Sequence, residues 1–193
     1  MVMALMDFVP VILFLIATVI LQRGLYHRMS KGGFALFAGG TVMMICAGLM
    51  KAMWKLLYNL NVCDFERLNQ AFLPLHSMGA LIAGIAVGSQ LVVQRKNNAV
   101  YVAVPAVFSG SMIFVAMLTL GSLGLYGGLG ILGAREKKRD AALLFWIAFA
   151  LMLGMGYLST HDFARASVNW ISEAVNIVGQ GCFLLGARKL VRE

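Results

Sequence analysis

The residues best suited to chemistry lie in the last apolar segment of the chain, where four polar side chains recur at helical spacing. The intervals are four, three and four positions, and the residues are Asn169, Glu173, Asn176 and Gln180. This spacing places all four on one stripe of an α-helix, and the opposite face is apolar. A carboxyl group flanked by carboxamides can bind a cationic group, carry a proton or hydrogen-bond a polar solute.

Two interpretations of this stripe stay open. Asn and Gln side chains routinely hydrogen-bond between membrane helices, so the stripe can serve as a helix–helix contact. An ionisable residue inside a membrane-spanning segment is costly, however, and rarely faces lipid. Glu173 is therefore the residue that packing explains least well, and it makes a solute site the alternative.

Lys51 and His76 are ionisable residues that we predict at a depth similar to that of Glu173, in other segments. Lys51 lies near the end of the second apolar segment, one turn before Lys55, and His76 follows the start of the third. We expect Lys55 to extend to the membrane surface beside Trp54, whereas Lys51 lies deeper. A pair between Lys51 and Glu173 would neutralise two charges that neither residue could bury alone. The set predicts a polar pocket that opens toward the outer side of a membrane.

A short motif occurs twice, once before the third apolar segment and once before the last. Both copies read Asp-Phe-x-Arg, and their charged residues are Asp64, Arg67, Asp162 and Arg165. Each Asp is suited to cap the helix that follows, and each Arg can pair with it one turn later. A gate or a ligand contact in the outer loops is the alternative role for these four residues.

The elements that must position these residues are membrane helices. Of the 193 residues, 61% are hydrophobic and only 12% are charged, whereas a soluble domain is usually about half apolar and about a quarter charged. The excess apolar surface has to face lipid. We therefore predict an all-α, polytopic helical bundle in which residues 1–193 form a single integral membrane domain.

The net charge of +8 is distributed as in membrane proteins rather than as in nucleic-acid-binding proteins. Basic residues form short clusters between apolar runs, at residues 23–31, 95–96, 135–139 and 188–192. Such clusters mark the cytoplasmic loops of membrane proteins. We expect contact with the lipid bilayer and no binding of nucleic acid.

The number of crossings depends on residues 99–134, which are apolar throughout. As one helix they would extend roughly 54 Å, against a hydrocarbon core of about 30 Å. Two short helices with a turn near residues 118–121 would bring every basic cluster to one side. We therefore predict seven crossings of the cytoplasmic membrane, with the N-terminus outside and the C-terminus cytoplasmic; six crossings are the alternative.

If the repeated motif marks an internal repeat, residues 6–93 correspond to residues 119–190, and a linker helix at about 99–118 joins them. Three helices, a linking helix and three more helices make parallel repeats. This plan resembles the topology of the SWEET and PQ-loop transporters. The resemblance concerns topology alone, since the chain has no Pro-Gln dipeptide, and it assigns no residue.

Enzymatic chemistry has little support in the sequence. No GxSxG, HExxH or P-loop motif is present, and the three cysteines, Cys46, Cys63 and Cys182, lie far apart. We expect no cofactor and no metal.

The predicted function is a carrier or channel for a small polar or charged solute. Glu173 would supply the central charge, Asn169, Asn176 and Gln180 the hydrogen bonds, Lys51 the balancing charge, and His76 a gate or relay. The alternative is a non-transporting membrane sensor or a subunit that docks on a larger membrane complex. Partners would then be a second copy of the chain or a membrane partner protein.

Overall fold

The computed structural model describes residues 2–93, 111–158 and 166–192, and all regular elements within these ranges are helical. The predicted all-α architecture is confirmed. The α-helices are α1 Val2–Met6, α2 Phe8–Leu25, α3 Lys31–Asn59, α4 Glu66–Val93, α5 Ser111–Ser122, α6 Gly128–Arg135, α7 Arg139–Leu158 and α8 Ala166–Val191. A π-helical turn, Leu123–Gly127, joins α5 to α6.

These elements combine into six long helices, because α1 runs on into α2 and α5 runs through the π turn into α6. Four of them are long and apolar enough to cross a membrane. Their candidate spans are Ala4–Leu25, Lys31–Asn59, Glu66–Val92 and Met112–Arg135. The chain is therefore a membrane protein.

The turn predicted near residues 118–121 is wrong, since α5 is helical through all four positions. Gly121 lies there because its backbone packs against Ala80 and Leu81 of α4, and a side chain would prevent this approach. Residues 94–110, which hold most of the predicted linker helix, lie outside the described residues.

Most neighbouring helices in the bundle are antiparallel. The Gln22 amide of α2 donates to the Thr41 hydroxyl of α3 at 3.0 Å. Gly40 of α3 packs against Gly79 of α4. At the other side of the bundle, Phe145 of α7 packs against Gly186 of α8.

The helix α5–α6 instead runs parallel to α4. Gly84 contacts Gly121 and Gly124, and one turn further along both helices Val87 contacts Gly128. At the ends, the Arg135 guanidinium donates to the Leu91 carbonyl oxygen at 3.1 Å. Since both helices reach the same end of the bundle, Val93 and Ser111 lie at opposite ends.

The six helices close into a ring around an aromatic core. In order, α2 contacts α3, α3 contacts α4, α4 contacts α5–α6, α5–α6 contacts α7, α7 contacts α8, and α8 contacts α2. The Phe183 ring lies at the centre of the core, 5.4 Å from Phe14, 4.8 Å from Tyr126 and 5.6 Å from Phe145 between ring centroids. Burying such large rings contributes much of the packing energy of the bundle.

Basic residues from separate parts of the chain meet at one end of the ring, called here the basic end. Arg28 pairs with Glu136 at 2.6 Å, and Lys189 pairs with Asp140 at 2.7 Å. The Lys138 ammonium donates to the Leu190 carbonyl oxygen at 2.7 Å. The described basic clusters thus share one end, while Arg95 and Lys96 lie outside the described residues.

The contact between α4 and α5–α6 predicts opposite effects for two substitutions in one helix. A Cβ at Gly84 would lie 2.5 Å from the Gly121 carbonyl oxygen, whereas a Cβ at Gly88 would meet open space. We expect Gly84→Ala to destabilise the protein by about 1–3 kcal/mol through overpacking. Gly88→Ala should be neutral or slightly stabilising, because Ala favours a helix over Gly. Thermal unfolding in detergent measures both, and equal melting temperatures would contradict the contact.

Candidate functional site

A buried ion pair lies at the end of the bundle opposite to the basic end. Asp7 occupies the single position between α1 and α2, and the antiparallel α3 brings Lys55 beside it. The Lys55 ammonium donates to Asp7 Oδ1 at 2.7 Å. The Asp7 side chain is 9% exposed and that of Lys55 is 32% exposed. Lys55 was expected to extend to the membrane surface, but its charge is directed to this carboxylate.

Glu173 brings a second carboxyl group to the same place. Helix α8 packs along α2, and its Glu173 carboxyl lies near enough to the Asp7 carboxyl for their charges to interact. The residue is only 8% exposed, and the charges of Lys51 and Lys55 both act on it. We call Asp7, Lys51, Lys55 and Glu173 the acid–lysine cluster.

Lys51 rests on an aromatic ring rather than on a carboxylate. Its ammonium lies 4.3 Å from the centroid of the Phe72 ring, a distance suited to a cation–π contact. The His76 ring stacks on Phe72, with 5.1 Å between centroids and 27° between planes. Lys51, Phe72 and His76 thus form a wall beside the two carboxyl groups.

Hydrogen bonding in this region is incomplete among the described residues. Asp7 Oδ2, Glu173 Oε1 and His76 Nδ1 are all buried, and no described group makes a hydrogen bond to any of them. Leaving a buried polar atom without a partner costs about 1–3 kcal/mol. Such atoms are suited to hold a proton, a cation or the polar groups of a solute.

The structure brings three of the predicted site residues, Lys51, His76 and Glu173, to one end of the bundle. It also turns the polar stripe of α8 inward: Glu173 and Gln180 are buried, while Ile171 and Val178 on the opposite face are each 54% exposed. Asn169 and Asn176 are half-buried on the same stripe.

Gln180 lies deeper in the bundle than Glu173, in contact with other helices. Its side-chain amide donates to the Met152 sulfur at 3.6 Å. The Tyr126 hydroxyl, carried by the π-helical turn, lies beside it. The Gln180 and Tyr126 oxygens are buried without a well-formed hydrogen bond to a described residue. They continue the polar interior from the acid–lysine cluster toward the middle of the bundle.

The outer-loop motif is only partly described. The Trp54 indole N–H donates to Asp64 Oδ1 at 3.0 Å, so the predicted pairing of Asp64 with Arg67 is replaced by a contact with α3. Arg67 takes part in none of the ion pairs formed between described residues. Asp162 and Arg165 lie outside the described residues.

A cavity of about 390 Å³ opens at the basic end. Its lining is mostly apolar, with a few polar groups, and consists of Leu25, Arg28, Met29, Val87, Gln90, Leu132 and Glu136. A volume of this size suits a small molecule. The pocket was predicted beside Glu173, whereas this cavity lies at the opposite end of the bundle.

Metal binding has no support in the part of the chain that the structure describes, where no group of three or more His, Cys, Asp or Glu side chains could hold an ion.

Asp7 is the residue of this cluster that the sequence analysis did not find. A single acid near the start of the first apolar segment belongs to no stripe or motif. Its importance appears only in the fold. There α3 brings Lys55 to it from more than 45 positions away along the chain, and α8 brings Glu173 from more than 160 positions away. Its position inside an apolar run was the one available signal.

Two ion pairs of equal length allow the effect of burial to be measured. Lys55–Asp7 and Lys189–Asp140 both span 2.7 Å, but Asp140 is 77% exposed. We expect Lys55→Gln to destabilise the protein by roughly 1–3 kcal/mol, because it leaves a buried carboxylate without its cation. The double variant Asp7→Asn with Lys55→Gln should regain part of that loss, and Lys189→Gln should change nothing measurable. Unfolding midpoints in detergent provide the comparison; equal effects of Lys55→Gln and Lys189→Gln would contradict the burial of the pair.

No protein-family model, no curated protein and no solved structure matches this chain. Its function must therefore be inferred from the geometry of its own residues.

Proposed function

We propose that this membrane protein is a carrier or channel for a small polar or charged solute, and that the acid–lysine cluster is its working site. The observation that carries the proposal is the pair of buried oxygens, Asp7 Oδ2 and Glu173 Oε1, which lack a described donor. Structural polar groups in membrane bundles are normally satisfied by neighbouring helices. Carboxyl groups left with spare acceptors are instead typical of ion and substrate pathways.

Features at both ends of the bundle support the proposal. At one end, the Lys55 ammonium of α3 donates to Asp7 Oδ1, and buried carboxyl oxygens beside it lack a described donor. At the basic end, the cavity beside Gln90 and Leu132 is large enough for a small solute. A protein that binds a polar solute needs both polar contacts for it and room to hold it.

We further propose seven crossings of the cytoplasmic membrane, with the N-terminus outside and the C-terminus inside. Support comes from the parallel course of α4 and α5–α6, which leaves Val93 and Ser111 at opposite ends. The gathering of Arg28, Lys138 and Lys189 at one end supports the proposal that this end faces the cytoplasm.

The 3+1+3 repeat is also part of the proposal. Its support is a two-fold pattern in the helix contacts, in which α2, α3 and α4 correspond to α5–α6, α7 and α8. The contact of α2 with α3 corresponds to that of α5–α6 with α7, and the contact of α3 with α4 to that of α7 with α8. The contact of α2 with α8 corresponds to that of α5–α6 with α4, and corresponding pairs run in the same relative direction, parallel or antiparallel. An axis along the membrane normal would relate the two halves, as in transporters with parallel repeats.

A screen of solutes tests the function. Wild type, Glu173→Gln and the control Asp140→Asn would be melted in detergent with amines, amino acids, carboxylates and sugars. A ligand at about 100 times its Kd stabilises a protein by about 2.7 kcal/mol. We expect at least one solute to raise the melting temperature of the wild type and the control, and Glu173→Gln to abolish that shift. If no solute acts and Glu173→Gln melts like the wild type, the sensor or docking-subunit alternative replaces this proposal.

The native thiol of Cys63 tests the topology. Cys63 is exposed in the loop between α3 and α4, at the end opposite to the basic end. In a Cys46→Ala, Cys182→Ala background, we expect a membrane-impermeant maleimide to label Cys63 in intact cells. A thiol placed at the exposed Lys31 position of a cysteine-free variant should react only after the cells are permeabilised. The reverse pattern would overturn the proposed orientation.

A further inference from the structure

The cavity at the basic end lies inside the ring of helices. Leu25 and Met29 line it from the end of α2 and the turn that follows, Val87 lines it from α4, and Leu132 from α6. In the ring, α2 neighbours α3 and α8, whereas α4 and α6 belong to the other side. A space that these three segments share is therefore enclosed by the bundle, and it is not a groove between two neighbouring helices.

The walls of this cavity are apolar and buried. The exposed fractions of Leu25, Met29, Val87 and Leu132 are 4%, 8%, 2% and 7%, and the volume between them is about 390 Å³. Pockets for small molecules are lined mainly by apolar side chains, with a few polar groups that fix the orientation of the ligand. The walls therefore suit the apolar body of a small ligand.

Two polar side chains that line the same cavity keep hydrogen-bond donors available. The Arg28 guanidinium donates through Nη1 to Glu136 Oε1 at 2.6 Å, and no other described group accepts a hydrogen bond from it. A guanidinium carries five N–H donors in a planar fork, which binds a carboxylate or phosphate through two parallel hydrogen bonds. The Gln90 carboxamide also lines the cavity and makes no hydrogen bond to a described group. Both side chains are suited to an anionic group.

The charges around the cavity favour an anion over a cation. Glu136 is the one acid among the described lining residues, and its two oxygens face two cations, Arg28 at 2.6 Å and Lys138 at 3.7 Å. Arg135 adds a further cation nearby, since its guanidinium donates to the carbonyl oxygen of Leu91. The positive charges at this edge thus outnumber the negative one, and the excess attracts anions.

We propose that this cavity binds an amphipathic anion, which is a small molecule with an apolar body and one carboxylate or phosphate group. Arg28 binds the anionic group through the donors that Glu136 leaves free, and Gln90 adds a hydrogen bond. Val87 and Leu132 pack against the apolar body. The site lies at the opposite end from the acid–lysine cluster and stands independently of the carrier function. Such a ligand has two sources, the headgroup region of an anionic membrane lipid and a free solute.

Hexanoate tests the proposal, because it combines one carboxylate with a short apolar tail. The purified protein, freed of lipid in an uncharged detergent, would be melted with hexanoate, acetate or hexylamine. Acetate carries the charge without the tail, and hexylamine carries the tail with the opposite charge. We expect only hexanoate to raise the melting temperature of the wild type. An equal rise with acetate, or no rise with hexanoate, would overturn the proposal.

Variants of the two charged lining residues should act in opposite directions. Arg28→Gln should weaken hexanoate binding by about tenfold or more, because it removes hydrogen bonds to a charged group. Glu136→Gln should strengthen binding, because its carboxylate no longer competes for Arg28. The control Lys189→Gln removes an exposed lysine at the same end and should leave binding unchanged. If Arg28→Gln and Glu136→Gln both bind hexanoate like the wild type, the two residues form only a surface ion pair and the site is lost.

The response of Glu173→Gln separates this site from the acid–lysine cluster. Because Glu173 lies at the other end of the bundle, we expect hexanoate to stabilise this variant as it stabilises the wild type. Loss of the response would place the anion at the acid–lysine cluster and overturn a site at the basic end. If hexanoate binds but no solute depends on Glu173, the cavity site stands and the proposed carrier function fails.

Lipid nanodiscs distinguish the two sources of the ligand. The hexanoate measurement would be repeated in phosphatidylcholine, which has no net charge, and in phosphatidylglycerol, which is anionic. Hexanoate should bind in phosphatidylcholine. Loss of that binding in phosphatidylglycerol shows that an anionic lipid occupies the cavity, whereas equal binding in both shows that a free solute is the ligand. Either result supports an amphipathic anion; failure of hexanoate to bind in phosphatidylcholine contradicts it.

Discussion

The contact between the backbones of α4 and α5–α6 is the constraint on which the arrangement of this bundle depends. Gly84, Gly121 and Gly124 meet without side chains, and a Cβ at any of them would enter the facing backbone. The two helices can therefore lie closer than Leu- or Val-lined helices, and they do so in parallel rather than antiparallel orientation. Dispersion forces between closely packed helices, rather than the hydrophobic effect, drive such association within lipid.

The separation of charge follows from that parallel contact. If α5–α6 ran antiparallel to α4, Arg135 and the residues that follow it would lie at the end that holds Asp7. Instead Glu136 meets Arg28 at the basic end, in a partly exposed pair where water and lipid headgroups offset the cost of charge. The opposite end carries exposed charges around the start of α4, but the charges of the acid–lysine cluster are largely withdrawn from solvent. The basic end thus carries ion pairs that are partly exposed and cost little, while the other end retains costly, poorly satisfied groups.

Local patterns allowed much of this arrangement to be predicted, but long-range contacts did not follow from them. The inward face of α8 was predictable because a period of 3.6 residues places Glu173 opposite Val178 regardless of the neighbouring helices. The turn near residues 118–121 was wrong because a glycine run has the same composition whether it breaks a helix or allows close packing. Asp7 was missed because its partners Lys55 and Glu173 are distant in sequence. The contacts of a residue become predictable only when the order of helices in the ring is known.

The energetic cost of the acid–lysine cluster supports the proposal that it has a role beyond stabilising the fold. A buried ion pair seldom stabilises a fold more than well-packed apolar residues of similar volume, so Asp7 and Glu173 are poor structural choices. The Lys55 ammonium offsets part of the cost of burying Asp7, but Asp7 Oδ2 and Glu173 Oε1 stay buried without a described donor. Each such oxygen forfeits the hydrogen bonds that water would give it in the unfolded chain. A polar solute that supplied donors to these oxygens would recover part of that free energy, which a purely structural cluster could not do.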